Sequence, residues 1–222
     1  MSLIEKISEI YKEYAVRGVY GNWLIVISLI LLALFFIFRC LPLKTKFEKR
    51  SGGVLIAFII ALFTEMYGFP LTIYLLSSFI GIKIPLTHEG GHLFGDLLTY
   101  FGLGNGWLIV MITSNILIAI GLLLIMEGWS KVYYSKGKFI TTGIYSKMRH
   151  PQYTGILLVA LGFLIQWPTL ITLILFPFLV IMYYKLAKRE ERDIEKKYKR
   201  KYLNYKKKVP MFIPYIKTIF KG

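Results

Sequence analysis

Cysteine is almost missing from this chain of 222 residues: the one copy, Cys40, excludes an intrachain disulfide and leaves the redox compartment open. At the end of an apolar run, Cys40 is expected to be a small buried hydrophobe, with palmitoylation as the other reading. Histidine is scarce too, at three residues, which leaves little material for a histidine-rich metal centre. Acidic residues are few, 12 against 28 Lys and Arg, for a formal net charge of +16. No internal repeat and no low-complexity linker divides the sequence, so a single membrane domain over residues 1–222 is expected. The N-terminus lacks the succession of basic start, short apolar core and small-residue cleavage site, so the first apolar run is expected to persist in the mature chain.

What the sequence has in abundance is apolar surface. Hydrophobic residues make up 56% of it, mean hydropathy is +0.58, and the apolar residues fall in runs near the roughly 20 residues that a helix needs to cross hydrocarbon. An integral membrane protein follows. The positive charge would suit nucleic acid, but a basic nucleic-acid domain does not carry bilayer-length apolar runs, so no nucleic-acid partner is expected. The bases more simply meet anionic lipid headgroups.

Residues 1–20 mix three acids and three bases with apolar positions at near-helical spacing, which suits a short interfacial helix. A first span is predicted at 22–38, ending at Arg39 and followed by Lys44, Lys46, Lys49 and Arg50. The apolar stretch 54–81 exceeds one crossing and contains Glu65 and Pro70, which predicts one long helix kinked at Pro70 or a broken one. Residues 82–106 read as a Gly-rich loop with Lys83 its only base. A third span at 107–126 leads into Glu127, Lys131, Lys136, Lys138, Lys147 and Arg149. Spans at 154–166 and 169–186, joined at Gln166-Trp167-Pro168, predict a tight antiparallel helical hairpin.

The fold class is thus all-α: about five transmembrane helices, a tight C-terminal hairpin, and a C-terminal amphipathic helix. The strongly basic connections follow spans one, three and five and fall on one side. The positive-inside rule makes that side, with the C-terminus, cytosolic. Residues 188–221 carry 13 Lys and Arg against 4 Asp and Glu, so this tail is expected on membrane lipid headgroups.

Four patterns bear on chemistry. His88-Glu89-Gly90-Gly91-His92 is a literal H-E-x-x-H, which on a helix would offer two imidazoles and a general base to zinc. The third ligand of the extended pattern would fall at Leu98, adjacent glycines weaken a helix by about 1 kcal/mol each, and the segment reads as loop. Asp96 remains the conceivable third ligand. The expectation is structural histidines and no metal. Gly102-Leu103-Gly104-Asn105-Gly106 has nucleotide-loop spacing but no preceding strand, so it reads as a plain loop. Glu65 lies inside the second span, either as a hydrogen-bonded structural carboxyl or as a pocket residue.

The fourth pattern is cytosolic. Arg149 and His150 precede Pro151, which suits the first turn of a helix, and Gly155 one turn later allows a backbone or a ligand to approach closely. Tyr153 lies at the same mouth. From Lys188 onward, Glu190, Ile194, Tyr198, Tyr202 and Tyr205 recur every three or four residues, aligning a carboxylate and three phenols along one helical stripe. Carboxylates and aromatic faces are what a sulfonium requires; a headgroup-binding amphipathic helix is the alternative.

Thr142-Gly143-Ile144-Tyr145, Arg149-His150-Pro151-x-Tyr153-x-Gly155, Arg189-Glu190-Glu191, Tyr202-x-x-Tyr205 and Val209-Pro210-x-x-Ile213-Pro214 stand in that order. Together they resemble the integral membrane methyltransferases that include isoprenylcysteine carboxyl methyltransferase and the phospholipid methyltransferases. The resemblance covers residues 140–216. Such proteins often carry Phe-Gly where this chain has Tyr198-Lys199.

The resemblance implies N-terminal helices over 1–136, a cofactor-binding part over 137–222, and S-adenosylmethionine held in a cytosol-facing pocket without a Rossmann fold. It also implies a lipidic or prenylated acceptor entering from the bilayer. By the same resemblance the cofactor-binding residues are Gly143, Ile144, Tyr145, His150, Pro151, Tyr153, Gly155, Glu190, Glu191, Tyr202 and Tyr205. Arg149 and Glu190 are the catalytic pair, with Arg149 suited to an anionic acceptor. An amine acceptor would also need a base, for which Glu65 and Glu127 are candidates. The alternatives are a sterol-type reductase using NADPH and a non-enzymatic membrane scaffold; the oligomeric state is left open.

Overall fold

The computed structural model describes residues 21–40, 46–81, 89–135 and 139–215. The interfacial helix expected at 1–20, His88 and the end of the basic tail lie outside the described residues. Among the described residues all regular structure is helical. Helix α1 spans Trp23–Cys40 and α2 spans Lys46–Phe63, continuing through a π-helical turn at Thr64–Gly68. Helix α3 (Leu71–Leu75) runs into a second π turn at Leu76–Ile80. A 3-10 turn at Glu89–Gly91 precedes α4 (Leu93–Tyr100) and α5 (Gly106–Tyr134). A further 3-10 turn at Gly143–Ser146 leads to α6 (Pro151–Gln166) and α7 (Leu170–Lys208).

Three helices, Glu48–Gly68, Gly106–Tyr134 and Leu170–Lys208, are long and apolar enough to cross a bilayer; Trp23–Arg39 and Pro151–Gln166 are shorter apolar helices. The chain is an integral membrane protein. Apolar side chains that would sit badly in water, among them Leu108, Ile112, Ile116 and Leu123 of α5, are exposed, as a lipid-facing surface requires.

Two expectations from the sequence change. The second apolar stretch is broken, with α2 starting eight residues earlier, at Lys46. Phe69 is extended (φ −124°, ψ 116°), the conformation forced on a residue before proline, and Pro70 has no N–H to continue the ladder. Glu65, 3% exposed, mends the break: its Oε2 accepts a 2.8 Å hydrogen bond from the Thr72 N–H. Thr72 Oγ1 in turn accepts from the Leu170 N–H at 2.9 Å, where a Thr169–Thr172 capping box starts α7. The stretch 82–106 is not all loop either, since α4 lies within it. Its helical period was hidden by glycines needed for close packing: a Cβ on Gly106 would stand 2.4 Å from the Gly95 carbonyl oxygen.

Glycines also decide how α5 meets α6. Ser114, Gly121 and Gly128 recur every seven residues on α5, opposite Gly162, Gly155 and Gln152 of α6. A Cβ on Gly155 would stand 2.5 Å from the Gly121 carbonyl, and one on Gly121 2.7 Å from that of Gly155. With no hydrophobic drive in lipid, such small-residue contact is what holds helices together. On the other flank, α2 packs on α7 through buried Phe58, Leu62, Leu179 and Tyr183.

His92 is structural. Its Nδ1–H donates to the Gln166 carbonyl at 2.8 Å, and its ring meets Trp167 edge-on at 4.9 Å. Gly91 leaves room for that indole, since a Cβ there would lie 2.0 Å from Trp167. The five-residue glycine pattern at 102–106 is a turn, with positive φ at Gly102 and Gly104.

Replacing Gly121 with Val should push α5 away from α6 and destabilise the protein by about 1–3 kcal/mol, the usual cost of overpacking. Thermal unfolding in detergent measures it; an unchanged midpoint would remove the close crossing from the account.

Candidate active site

The mouth of α6 is assembled by backbone pairing with the chain's end. Pro210, which cannot prolong α7, instead accepts from the Arg149 N–H at 2.9 Å, and Met211 accepts from the His150 N–H at 3.0 Å. Thr154 Oγ1 lies 3.1 Å from the Phe212 carbonyl. His150 caps α6 and Pro151 is its first residue, so the missing proline N–H costs nothing. Arg149 and His150 are thereby delivered next to residues 190–206 of α7, which continue past the apolar part of that helix.

There the charges pair. Arg149 Nη2 is 3.0 Å from Glu191 Oε1, and Nη1 donates to the Lys206 carbonyl at 3.2 Å. His150 Nε2 is 3.4 Å from the same Glu191 oxygen and Nδ1 is 3.7 Å from Glu190 Oε2. Lys206 Nζ lies 3.5 Å from Glu191 Oε2 and 3.3 Å from Glu195 Oε2. The Tyr153 hydroxyl donates to Glu190 Oε1, and the Tyr153 ring lies parallel to that of His150, 5.6 Å away. The Tyr205 hydroxyl donates to the Tyr145 carbonyl at 2.6 Å, and Tyr145 donates to the Gly128 carbonyl at 3.3 Å.

The two adjacent carboxyls are driven apart. Burial lifts Glu190 above the ordinary carboxylate range, against the Tyr153 hydrogen bond and the His150 charge. Burial acts in the same sense on Glu191, but the His150 hydrogen bond and the Arg149, His150 and Lys206 charges outweigh it and hold that carboxyl low. Glu191 is a fixed anion and Glu190 an adjustable one.

Beside this network lies a cavity of about 430 Å³, within the size range of small-molecule sites. Of the residues named from sequence, Tyr145, Arg149, His150, Tyr153, Glu190, Tyr202 and Tyr205 line it. Glu191 stands behind Arg149, with 1% of its side chain exposed. Gly155 faces the α5 backbone, so the close approach it permits is helix to helix. Gly143 takes a left-handed φ of 63° and, with Ile144, turns the chain so that Tyr145 reaches the wall; Pro151 is buried at the start of α6. Glu65 and Glu127 are not among the lining residues.

Sequence reasoning missed Phe139, Gln152, Asp193 and Lys197, which also line the cavity. Asp193 and Lys197 stand three and seven residues after Glu190, on the stripe already traced, so the helical period carried their signal. Gln152 is the unspecified position between Pro151 and Tyr153. Two lining residues have buried polar atoms without a hydrogen-bond partner: Arg149 Nε and Gln152 Nε2. Unmet groups of this kind call for a partner, supplied by water or by a ligand in the cavity.

Residues 101–201 match the family model for phospholipid methyltransferase. The matched segment is a little under half of the chain. The chain is 31% identical over 132 residues to a methanethiol S-methyltransferase of Crocosphaera subtropica, covering 56% of this chain and 49% of that protein. It is also 32% identical over 82 residues to protein-S-isoprenylcysteine O-methyltransferase B of Arabidopsis thaliana, covering 36% of this chain and 41% of that one. The chain spans about half the length of the curated relatives it matches. The matched segment contains the α6 mouth, Glu190, Glu191 and most of the cavity wall; Tyr202, Tyr205 and the segment docked on Arg149 follow its end.

Within the matched segment, Lys199 breaks the regularity of α7, with φ 43° and ψ −120°. This is the position at which the resemblance noted in the sequence expects glycine, and for an L-residue the conformation costs of the order of 1–3 kcal/mol. The bend turns Tyr202, Tyr205 and Lys206 back toward Arg149. Lys199→Gly is expected to raise stability by about 1 kcal/mol, because relief of strain exceeds the entropy lost by glycine; denaturant titration reads the change, and a destabilised variant would contradict it.

Glu190 sets the pH response. Because its carboxyl is raised, it takes up a proton at a pH where an ordinary carboxylate is still ionised, so attraction for a cation is present at higher pH and is lost as pH falls through that raised value. Binding of a cationic ligand should weaken on acidification in wild type, while Glu190→Gln binds weakly throughout. Calorimetry across pH compares them, and identical pH profiles would discard the assignment.

Proposed function

We propose that this protein is an S-adenosylmethionine-dependent methyltransferase of the membrane, acting on a prenylated or lipid-like acceptor at the cytosolic face. The observation that carries the reading is the juxtaposition of the Glu190–Tyr153–His150 group with the phenol-lined cavity at the mouth of α6. The family match and the two methyltransferase relatives support the same reaction class.

The residues present fit the methyl donor. S-Adenosylmethionine brings an electrophilic methyl on a positively charged sulfur, together with a carboxylate and an adenine that seek hydrogen bonds. Glu190 and Asp193 supply negative charge, Tyr198, Tyr202 and Tyr205 supply aromatic faces, and the unpartnered Arg149 Nε and Gln152 Nε2 supply hydrogen-bonding capacity. The Tyr153 hydroxyl donates to one oxygen of Glu190, and His150 Nδ1 stands 3.7 Å from the other. Arg149, held by Glu191 and the Lys206 carbonyl, is a rigid cation for orienting an anionic acceptor. These groups serve methyl transfer by positioning, charge complementarity and exclusion of water, which can supply much of such a rate.

Five crossings and a cytosolic site are part of the same proposal. Arg39, at the end of α1, sits over the Trp129 ring of α5 at 5.5 Å, which favours both basic ends facing one side. At the opposite end, Gly21 and Asn22 donate to the Gly68 and Tyr67 carbonyls, and His92 reaches Gln166. The alternation supports helices crossing in turn, with Lys131, Lys147 and the basic end of α7 on the cavity side.

Titrating the purified protein with S-adenosylhomocysteine tests the reading. Saturable binding is expected, with a loss of at least tenfold in His150→Ala and in Glu190→Ala. Absence of binding by the wild-type protein, or binding indifferent to both substitutions, would overturn it.

A further inference from the structure

Phe139 belongs to no helix. It lies on the connection between α5 and the 3-10 turn at Gly143–Ser146, and nothing in its sequence neighbourhood links it to the phenol stripe 60 residues on. Yet it lines the cavity and touches all three phenols. Its ring stacks on Tyr198 at 5.1 Å and 28°. It meets Tyr205 edge-on at 5.3 Å and 88°, and Tyr202 at 5.8 Å and 67°. Tyr202 and Tyr205 are themselves 6.2 Å apart. Four rings from two distant segments therefore form one continuous wall, with Phe139 in contact with each of the others.

This wall already attracts cations. Lys197 Nζ lies over the Tyr198 ring at 5.3 Å and Lys206 Nζ over Tyr202 at 5.7 Å. The Tyr205 hydroxyl does not compete for the same role: it is spent on the Tyr145 carbonyl, so that residue offers the cavity mainly its ring. The carboxylates that line the cavity, Glu190 and Asp193, come from the preceding turns of the same helix. A ligand between them meets anionic oxygen on one side and aromatic faces on the other.

Resting on the reading of the cavity as an S-adenosylmethionine site, we infer that Phe139 is a specificity-determining residue. It completes a four-ring wall that holds the positively charged sulfonium and holds the neutral thioether product less tightly. The physical basis is that a ring face attracts a cation through its quadrupole and gives a neutral sulfur no such attraction. The wall would thus favour the loaded methyl donor and help the spent one leave, with no further group changing charge.

The experiment measures binding of S-adenosylmethionine and of S-adenosylhomocysteine, separately, to wild type, Phe139→Leu and Phe139→Tyr. Phe139→Leu is expected to weaken S-adenosylmethionine about tenfold and S-adenosylhomocysteine by less than about threefold, a difference within the range of a cation–aromatic contact. Phe139→Tyr should keep the wild-type ratio of the two affinities. Should the leucine variant fail to fold, difluorophenylalanine at position 139 keeps the shape and withdraws charge from the ring face; it should lower the same ratio. Equal weakening of both ligands would reduce Phe139 to packing, and unchanged affinities would remove it from the site; either overturns the inference. If the wild-type protein binds neither ligand, the underlying reading of the cavity fails instead, so the two failures are distinguishable.

Discussion

Glu191 is the constraint around which the site is arranged. A carboxylate with 1% of its side chain exposed is tolerable only if its charge is answered, and the answer comes from three directions: Arg149 at the mouth of α6, His150 beside it, and Lys206 beyond the bend in α7. Those partners lie on segments separated by more than 40 residues, so meeting the charge also fixes where the segments sit. Removing one partner of such a pair leaves a buried charge exposed to no solvent, typically a loss of about 3–5 kcal/mol. Replacing the whole set with apolar residues could keep stability, which places the network's value in positioning.

From that fixed point the adjacent Glu190 gains its freedom. The pair sits side by side on α7, but Glu191 points into the cation cluster and Glu190 lines the cavity. Two identical side chains are thereby given different acidities and tasks, one anchoring and one facing ligand. The bend at Lys199 is part of the same arrangement, since a straight α7 would carry Tyr202, Tyr205 and Lys206 away from the mouth of α6.

The membrane part shows a different economy. Helices α5 and α6 pack through glycine and serine because backbone contact is the strongest attraction available where lipid is as apolar as side chain. The break at Phe69-Pro70 is permitted because Glu65 and Thr72 return hydrogen bonds to the interrupted backbone. Both devices look like chemistry in sequence. Gly155 sits inside the most informative motif but serves the α5 crossing, and Glu65 resembles a buried functional acid while it repairs a helix. The two signals are indistinguishable along one dimension, because a close approach to a ligand and a close approach to a backbone require the same small residue.

By itself the sequence determined the membrane class, the all-helical architecture, the charged continuation of the last helix and the short segment that carries Arg149, His150 and Tyr153. Each of these depends on composition or on a short period that neighbouring residues carry. It also aligned Glu190 with Ile194 and Tyr198, since a helix brings every third or fourth residue to one face, whereas Tyr202 and Tyr205 return to that side through the bend at Lys199. Only the tertiary structure decided that Glu191 stands behind the wall while Glu190 faces the cavity, that α4 folds within an apparent loop, and that Phe139 joins the tyrosines. Those outcomes depend on which distant segment fills the space beside each residue. Packing of that kind is settled by shape and by the pairing of buried charge across the whole chain, and leaves no periodic trace in any one part of it.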